Sequence, residues 1–404
     1  MASPRCHADT AYSPNYFLAA LGNGGLAVSF FIYLMFLLPH PGTPIPTFGA
    51  VAGALARADA VSALVAVALA GILWFAGRHY RLMVWNLRAC VATRRAHGTC
   101  APGGSAEVTM MAGPLAGAMS INVMFILGAL FVPGLWSVVE WLFPAALAGF
   151  AAMGWLALRI LTRYLTRLLT EGGYRGPETA GFGQLIATFA LVMVAVGFAA
   201  PAAMSHTPLT VALGFLGSVF FLSAAGILGL AWLVMGLRDV KEHGIAPEAA
   251  PSLWIVIPVL TVSGIALVRL SHGMPVLWPE AVGHGAWLPL MAVILSVQIL
   301  FGLLGWAVMT RLDYFRQYLG GARLSAGSYA LICPGVAMMV FGMFFLHLGL
   351  VKGGLVEKYS LLHLALMVPL AYLQVRTIWT TVRLDRLHFG RRADRLATAA
   401  AGAD

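Results

Sequence analysis

The side chains of this sequence that could meet a small charged solute are mostly neutral hydrogen-bonding groups set in apolar runs. They are Asn23 and Ser29, Ser120 and Asn122, Gln184 and Thr188, Thr261 and Ser263, and Ser328. Such groups can hold an anion weakly enough to release it, which is what passage requires. Fixed charge is scarce in the same runs, where Glu140, Arg269, Glu107 and Arg376 fall near segment ends. A bare ion in hydrocarbon costs on the order of tens of kcal/mol, so a path for one has to offer dipoles, water or countercharge.

A second pattern runs through the same segments. With starts taken at Asn15, Glu107, Pro177, Pro251 and Gly327, spaced by 92, 70, 74 and 76 residues, a helix-weakening residue sits seven places into each. These residues are Gly22 (in Gly22-Asn23-Gly24-Gly25), Pro114, Gln184 beside Gly183, Pro258 and Pro334. At 1.5 Å per residue, they lie about 10 Å into their helices. A proline inside a helix frees the carbonyl four residues earlier, here Met110, Trp254 and Ala330, and a membrane tolerates this only where protein or a wet cavity satisfies it. Five breaks at one depth point to a shared cavity. The competing use of such residues is close helix packing, as in Gly113-x-x-x-Gly117.

Other chemistry finds little support. His347 and His363 fall in apolar runs and His272 and His284 outside them; a proton relay or haem pair is conceivable, but a hydrogen-bonded histidine near an interface suffices. The Gly22 string lacks the strand and acidic residue of a dinucleotide site, no phosphate loop ends in Gly-Lys-Ser/Thr, and no His-Glu-x-x-His occurs. No catalytic residue, cofactor or metal is expected. Cys6, Cys90 and Cys100 fall on the reducing side and Cys333 in an apolar run, so a reduced chain is expected.

These groups have to be positioned by membrane-spanning elements. Hydrophobic residues make up 60% of the 404 and charged ones 10%, against about 45–50% and about 25% in soluble domains. Ten apolar segments are each long enough to span a bilayer: 16–38, 60–77, 107–133, 138–158, 179–201, 208–236, 251–269, 286–310, 326–350 and 359–382. Runs apolar on every face, such as 121–135 and 211–237, exclude the alternating pattern of a barrel. The expectation is an all-α integral membrane protein, one transmembrane domain over 1–404 with short tails 1–15 and 384–404. The first run is too long for a signal-peptide core and reads as an uncleaved span.

Of the 25 Lys and Arg, 21 fall in the tails and in the connections after even-numbered spans. The positive-inside rule then puts both termini in the cytoplasm of a multi-pass protein of the cell inner (plasma) membrane. The net charge of +10 expresses that rule and contact with anionic membrane lipids, with no nucleic-acid partner, because no aromatic-interleaved basic domain is present. Connections after odd spans are nearly uncharged, and those after even spans are basic and at least about a dozen residues long, as at 78–95, 159–175 and 311–323. The chain thus reads as five helical hairpins.

Three strings carry a family resemblance: Pro14-Asn15-Tyr16-Phe17, Pro251-Ser252-Leu253-Trp254-Ile255-Val256-Ile257-Pro258 and Ser328-Tyr329-Ala330-Leu331-Ile332-Cys333-Pro334. With the ten-span topology, they resemble the tellurite-resistance and dicarboxylate transporter family that includes the plant slow anion channels. The resemblance implies a central pore in each protomer, walled by the odd spans and surrounded by the even ones, in a homotrimer. On that expectation the pore is lined by Gly22, Asn23, Gly25, Pro114, Ser120, Asn122, Gln184, Thr188, Pro258, Thr261, Ser263, Ser328 and Pro334. The family's occluding phenylalanine falls at Cys333, so either the pore is less obstructed there or another aromatic, such as Phe341, Phe344 or Tyr329, closes it; the gate candidates are Cys333 and Phe341. Arg78, Arg81, Arg159 and Arg163 would gather anions at the cytoplasmic mouth. The function implied is an anion channel or exporter for small inorganic or carboxylate anions. The alternative is a proton-coupled dicarboxylate or oxyanion carrier of the tellurite, sulfite or malate type.

Overall fold

The computed structural model describes residues 12–98, 104–172, 181–278 and 287–389. Among them there is no strand. Ten helices are long and apolar enough to cross a membrane, one for each expected span. In chain order the helices are α1 (Phe17–Leu37), α2 (Phe48–Ala56), α3 (Ala60–His97), α4 (Ala112–Phe131), α5 (Val139–Glu171), α6 (Leu185–Met204), α7 (Pro208–His243), α8 (Val256–Leu277), α9 (Trp287–Arg311), α10 (Ile332–Phe344) and α11 (Leu361–Phe389). The short α2 lies in the first connection, where the sequence showed no span, and packs on α3 and α4.

The odd-numbered spans are α1, α4, α6, α8 and α10. Four of them begin with a 3₁₀ lead-in: Pro14–Tyr16, Gly104–Met111, Pro247–Ile255 and Ala326–Leu331. Pro114, Pro258 and Pro334 each occupy the third residue of the α-helix that follows. In a 3₁₀ turn a carbonyl bonds the N–H three residues on, so the carbonyl four residues before each proline does not depend on the N–H that proline lacks. The three prolines therefore mark where 3₁₀ winding gives way to α winding, and the helices run on unbroken above them. Gln184 immediately precedes α6 without a side-chain capping bond, while α1 continues straight through Gly22.

Even spans run past their hydropathy limits. Residues 78–95, expected as a basic connection, are helical, because α3 continues to His97 and ends at Gly98, whose φ of 75° lets its N–H reach Arg94 O. Likewise α5 reaches Glu171, α7 reaches His243 and α11 carries the first part of the expected tail to Phe389. Alanine, leucine and arginine favour helix, so charge ends the apolar window without ending the helix. Cys90, on this extension, is disulfide-bonded, in contrast to the reduced chain expected, and its partner lies outside the described residues.

Packing sorts the spans into two sets. Across their most apolar stretches α1, α4, α6, α8 and α10 are 50–100% buried, against 17–39% for α3, α5, α7, α9 and α11. Contacts within the first set close on themselves, from α1 to α4, α6, α8, α10 and back to α1. Each helix of the second set contacts two neighbours of the first: α3 touches α1 and α4, α5 touches α4 and α6, and so on to α11 on α10 and α1. Outward faces carry exposed Trp74, Trp141, Trp155, Trp306 and Trp379, as lipid-facing helices do.

Candidate functional site

A cavity of about 670 Å³ lies among the inner helices. Pro258, Thr261, Ile265, Val268, Arg269 and His272 form its α8 wall, at the three- and four-residue spacing of one helix face. From Pro258 to His272 that wall covers about 21 Å of helix. Opposite walls come from Gly22, Gly25 and Phe31 of α1, Asn122 and Phe125 of α4, Phe189 and Met193 of α6, and Cys333, Val336 and Phe344 of α10. Phe150 of α5 and His40 and Ile45, just after α1, complete it. No acidic side chain among the described residues lines it.

Of the residues expected along a path, Gly22, Gly25, Asn122, Pro258, Thr261 and Cys333 line this cavity. The two glycines also bring α1 against α10, since a Cβ at Gly22 would fall 2.7 Å from Ile332 Cγ2 and one at Gly25 would fall 3.1 Å from Val336 Cγ1. Thr261 Oγ1 is engaged by protein, donating to Ala337 O at 3.1 Å and accepting from Gln298 Nε2 at 2.7 Å. Asn122 Nδ2 donates to Ala118 O at 3.2 Å.

The others are used elsewhere. Asn23 is buried, donating to Ala19 O at 2.8 Å and accepting from Arg78 Nε at 3.1 Å. Ser29 donates to Leu26 O and accepts from Gln374 Nε2. Ser120 faces α3, with its hydroxyl 2.8 Å from His79 Nε2, and His79 Nδ1 donates to Ala20 O at 2.7 Å. Gln184 sits at the residue before α6 and makes no capping bond, and Thr188 is buried beside Gly229 of α7 with no hydrogen-bond partner for its hydroxyl. Ser263 is half-buried off the cavity wall, Ser328 bonds Tyr314 at 2.8 Å, and Pro114 and Pro334 are buried at the helix starts.

The gate candidates separate in the same way. Cys333 and Phe344 face the cavity, Phe341 packs over Gly264, and the Tyr329 hydroxyl donates to Asp385 Oδ1 at 3.0 Å. The four arginines expected at a mouth lie off the cavity. Arg78 pairs with Asp385 and lines, with Arg81, a smaller cleft of about 370 Å³ between α3 and α11. Arg159 stacks on Trp155, and Arg163 lies 3.4 Å from Glu107, which also pairs with Arg167 at 2.7 Å.

His347 and His363 do meet, Nε2 to Nε2 at 3.2 Å. His347 Nδ1 lies 2.8 Å from Met343 O, which can only accept, so in the neutral pair His347 Nε2 accepts from His363 Nε2–H. His363 Nδ1 is then a buried acceptor without a partner. Phe36, which lines the cavity, stacks on the His347 ring at 4.6 Å.

Sequence reasoning passed over Arg269. The hydropathy run stops at that residue, but α8 continues through His272 and Pro275 to Leu277, so Arg269 lies about 12 Å inside the helix end. Its Nη1 donates to Val196 O of α6 at 3.1 Å, and it forms no ion pair with a described residue. The available signal was an arginine in an apolar run, discounted for its nearness to the end of that run. In comparison with known proteins, no family model and no curated protein matches this chain.

Proposed function

We propose that the protein is an anion channel or exporter of the inner (plasma) membrane, passing small inorganic or carboxylate anions along the axis of each protomer of a homotrimer. In this reading the ten spans form five hairpins, the odd ones wall the pore, and both termini are cytoplasmic. The observation that carries it is the elongated cavity among five helices that contact one another in a closed ring, with neutral and basic polar groups on its wall and no described acid. A cation path would call for acidic or carbonyl ligands, and a metabolic enzyme would call for a reactive cluster. Most of the cavity wall is apolar and aromatic, with Asn122, Thr261, Arg269 and His272 among its few polar groups, so these are the places where an anion would be held. An inside-negative potential then favours efflux by about 2.3 kcal/mol per charge per 100 mV.

The test is anion flux into proteoliposomes under an imposed voltage, with and without a pH gradient. Voltage-driven flux that needs no proton gradient is expected; uptake only with the gradient would establish the carrier instead. Cys333→Phe is expected to cut flux severalfold, because the new ring would occupy the cavity at its α10 wall. Unchanged flux in that variant would remove Cys333 as a constriction.

A further inference from the structure

We infer that Arg269, with His272 one turn further along α8, is an anion-binding station selective for planar, singly charged oxyanions such as nitrate or a monocarboxylate. The inference rests on the channel reading for its role in transport, but the binding site stands on its own geometry. Arginine inside a membrane ordinarily meets a carboxylate or several carbonyls, because an unbalanced charge there is costly. Arg269 has one carbonyl, Val196 O, and no carboxylate among the described residues. It lines the cavity, which offers no described acid. The missing countercharge is therefore supplied from the cavity, by a solute.

The chemistry of the donors narrows the class. A guanidinium has five N–H groups in a planar fork, and one engages Val196, which leaves a set able to grip two oxygens of a flat anion at once. A spherical halide cannot use that fork in a bidentate manner. His272, on the same helix face and also on the cavity wall, adds a ring nitrogen, and Lys352, at the end of the π-helical turn Phe345–Val351 that continues α10, lies within electrostatic reach of it. A single permanent charge on the wall balances a single negative charge.

The experiment titrates purified protein in detergent with sodium nitrate, formate or chloride, ionic strength being held with sodium isethionate, and follows the thermal midpoint. The intact chain is expected to be stabilised saturably, with nitrate and formate acting at lower concentration than chloride. Arg269→Gln keeps a polar side chain without the charge or the fork and is expected to raise the half-saturating concentration by about tenfold or more. Arg269→Lys retains the charge without the fork and is expected to keep saturation but lose the preference for planar anions. Equal titrations for the intact chain and Arg269→Gln, or no saturable stabilisation of the intact chain, would overturn the site. Should Arg269→Gln fail to fold, Arg269→Lys decides: an undiminished preference for planar anions overturns the fork. Flux in proteoliposomes is read separately, so binding without flux defeats the channel reading alone, and flux without binding defeats the station alone.

Discussion

Thr261 shows why a polar residue on the cavity wall is not automatically a ligand. Its hydroxyl gives its proton to Ala337 O and receives one from Gln298 Nε2, which also reaches Ile257 O at 3.1 Å. Its work is to join α8, α9 and α10. Thr261→Val, nearly isosteric, removes both bonds and leaves Gln298 short of an acceptor, so a stability loss of about 1–3 kcal/mol is expected in thermal unfolding, with anion preference unchanged. A shifted preference without a stability loss would instead make Thr261 a ligand. Arg269 is the contrasting case, since most of its donors are uncommitted within the described structure. Residue type was legible for both in the sequence; whether a donor is spent was not, because that depends on partners 73 residues away for Arg269 and 76 for Thr261.

At the scale of elements, glycine sets how closely the helices approach. A Cβ at Gly273 of α8 would fall 2.2 Å from Ala202 O of α6, and one at Gly214 of α7 would fall 2.7 Å from Phe198 O, so α6 is flanked on both sides by backbone contact. Backbone cannot swing away as a side chain can. Gly273→Ala is expected to destabilise by about 1–3 kcal/mol or more. Gly113→Ala on α4 meets nothing within 4 Å and is expected to be neutral or slightly stabilising through helix propensity. Thermal midpoints of the two variants, measured side by side in detergent, check the contrast. The glycines that the sequence presented as breaks thus serve two uses. Gly22 and Gly25 both line the cavity and admit α10, whereas Gly24 admits His79 and Met119, with a Cβ there falling 2.9 Å from His79 Nδ1.

For the whole molecule, the question is how the two ends of a long chain find each other. Where α1 and α3 meet α10 and α11, the seam is held by polar pairs of very long range: Arg78 with Asp385, Gln374 with Ser29, Tyr16 with His388, and Tyr359 with Leu37 O. Between membrane helices apolar packing gives little register, because lipid tails compete equally well, and hydrogen bonds supply it. Asp385 also accepts from Tyr329, so one carboxylate links α3, α11 and the lead-in of α10, and through Arg78 and Asn23 it reaches α1. Asp385→Ala strands Arg78, which is partly exposed, and a loss of roughly 2 kcal/mol is expected, between the values for surface and buried pairs. Hydrogen exchange should rise first in α11 and the start of α1; a uniform rise across all helices would argue against a seam.

By itself the sequence determined the number, type and order of the spans; it located the prolines too, but read them as breaks within the helices, whereas they lie at the third residue of α4, α8 and α10. Those follow from local quantities: hydropathy summed over about 20 residues and the missing N–H of one residue. Helix ends were less legible, since arginine and alanine prolong a helix after hydropathy has fallen, as in α3, and a polar stretch hid the last two turns of α8. Only the tertiary structure decided which faces look into the cavity. Ser120, Thr188 and Ser328 have the same chemistry as residues on the wall, yet helix rotation turns Ser120 towards His79, Thr188 towards Gly229 and Ser328 towards Tyr314. Rotation is set by packing against two or three neighbours at once, and that is a property of the assembled helices.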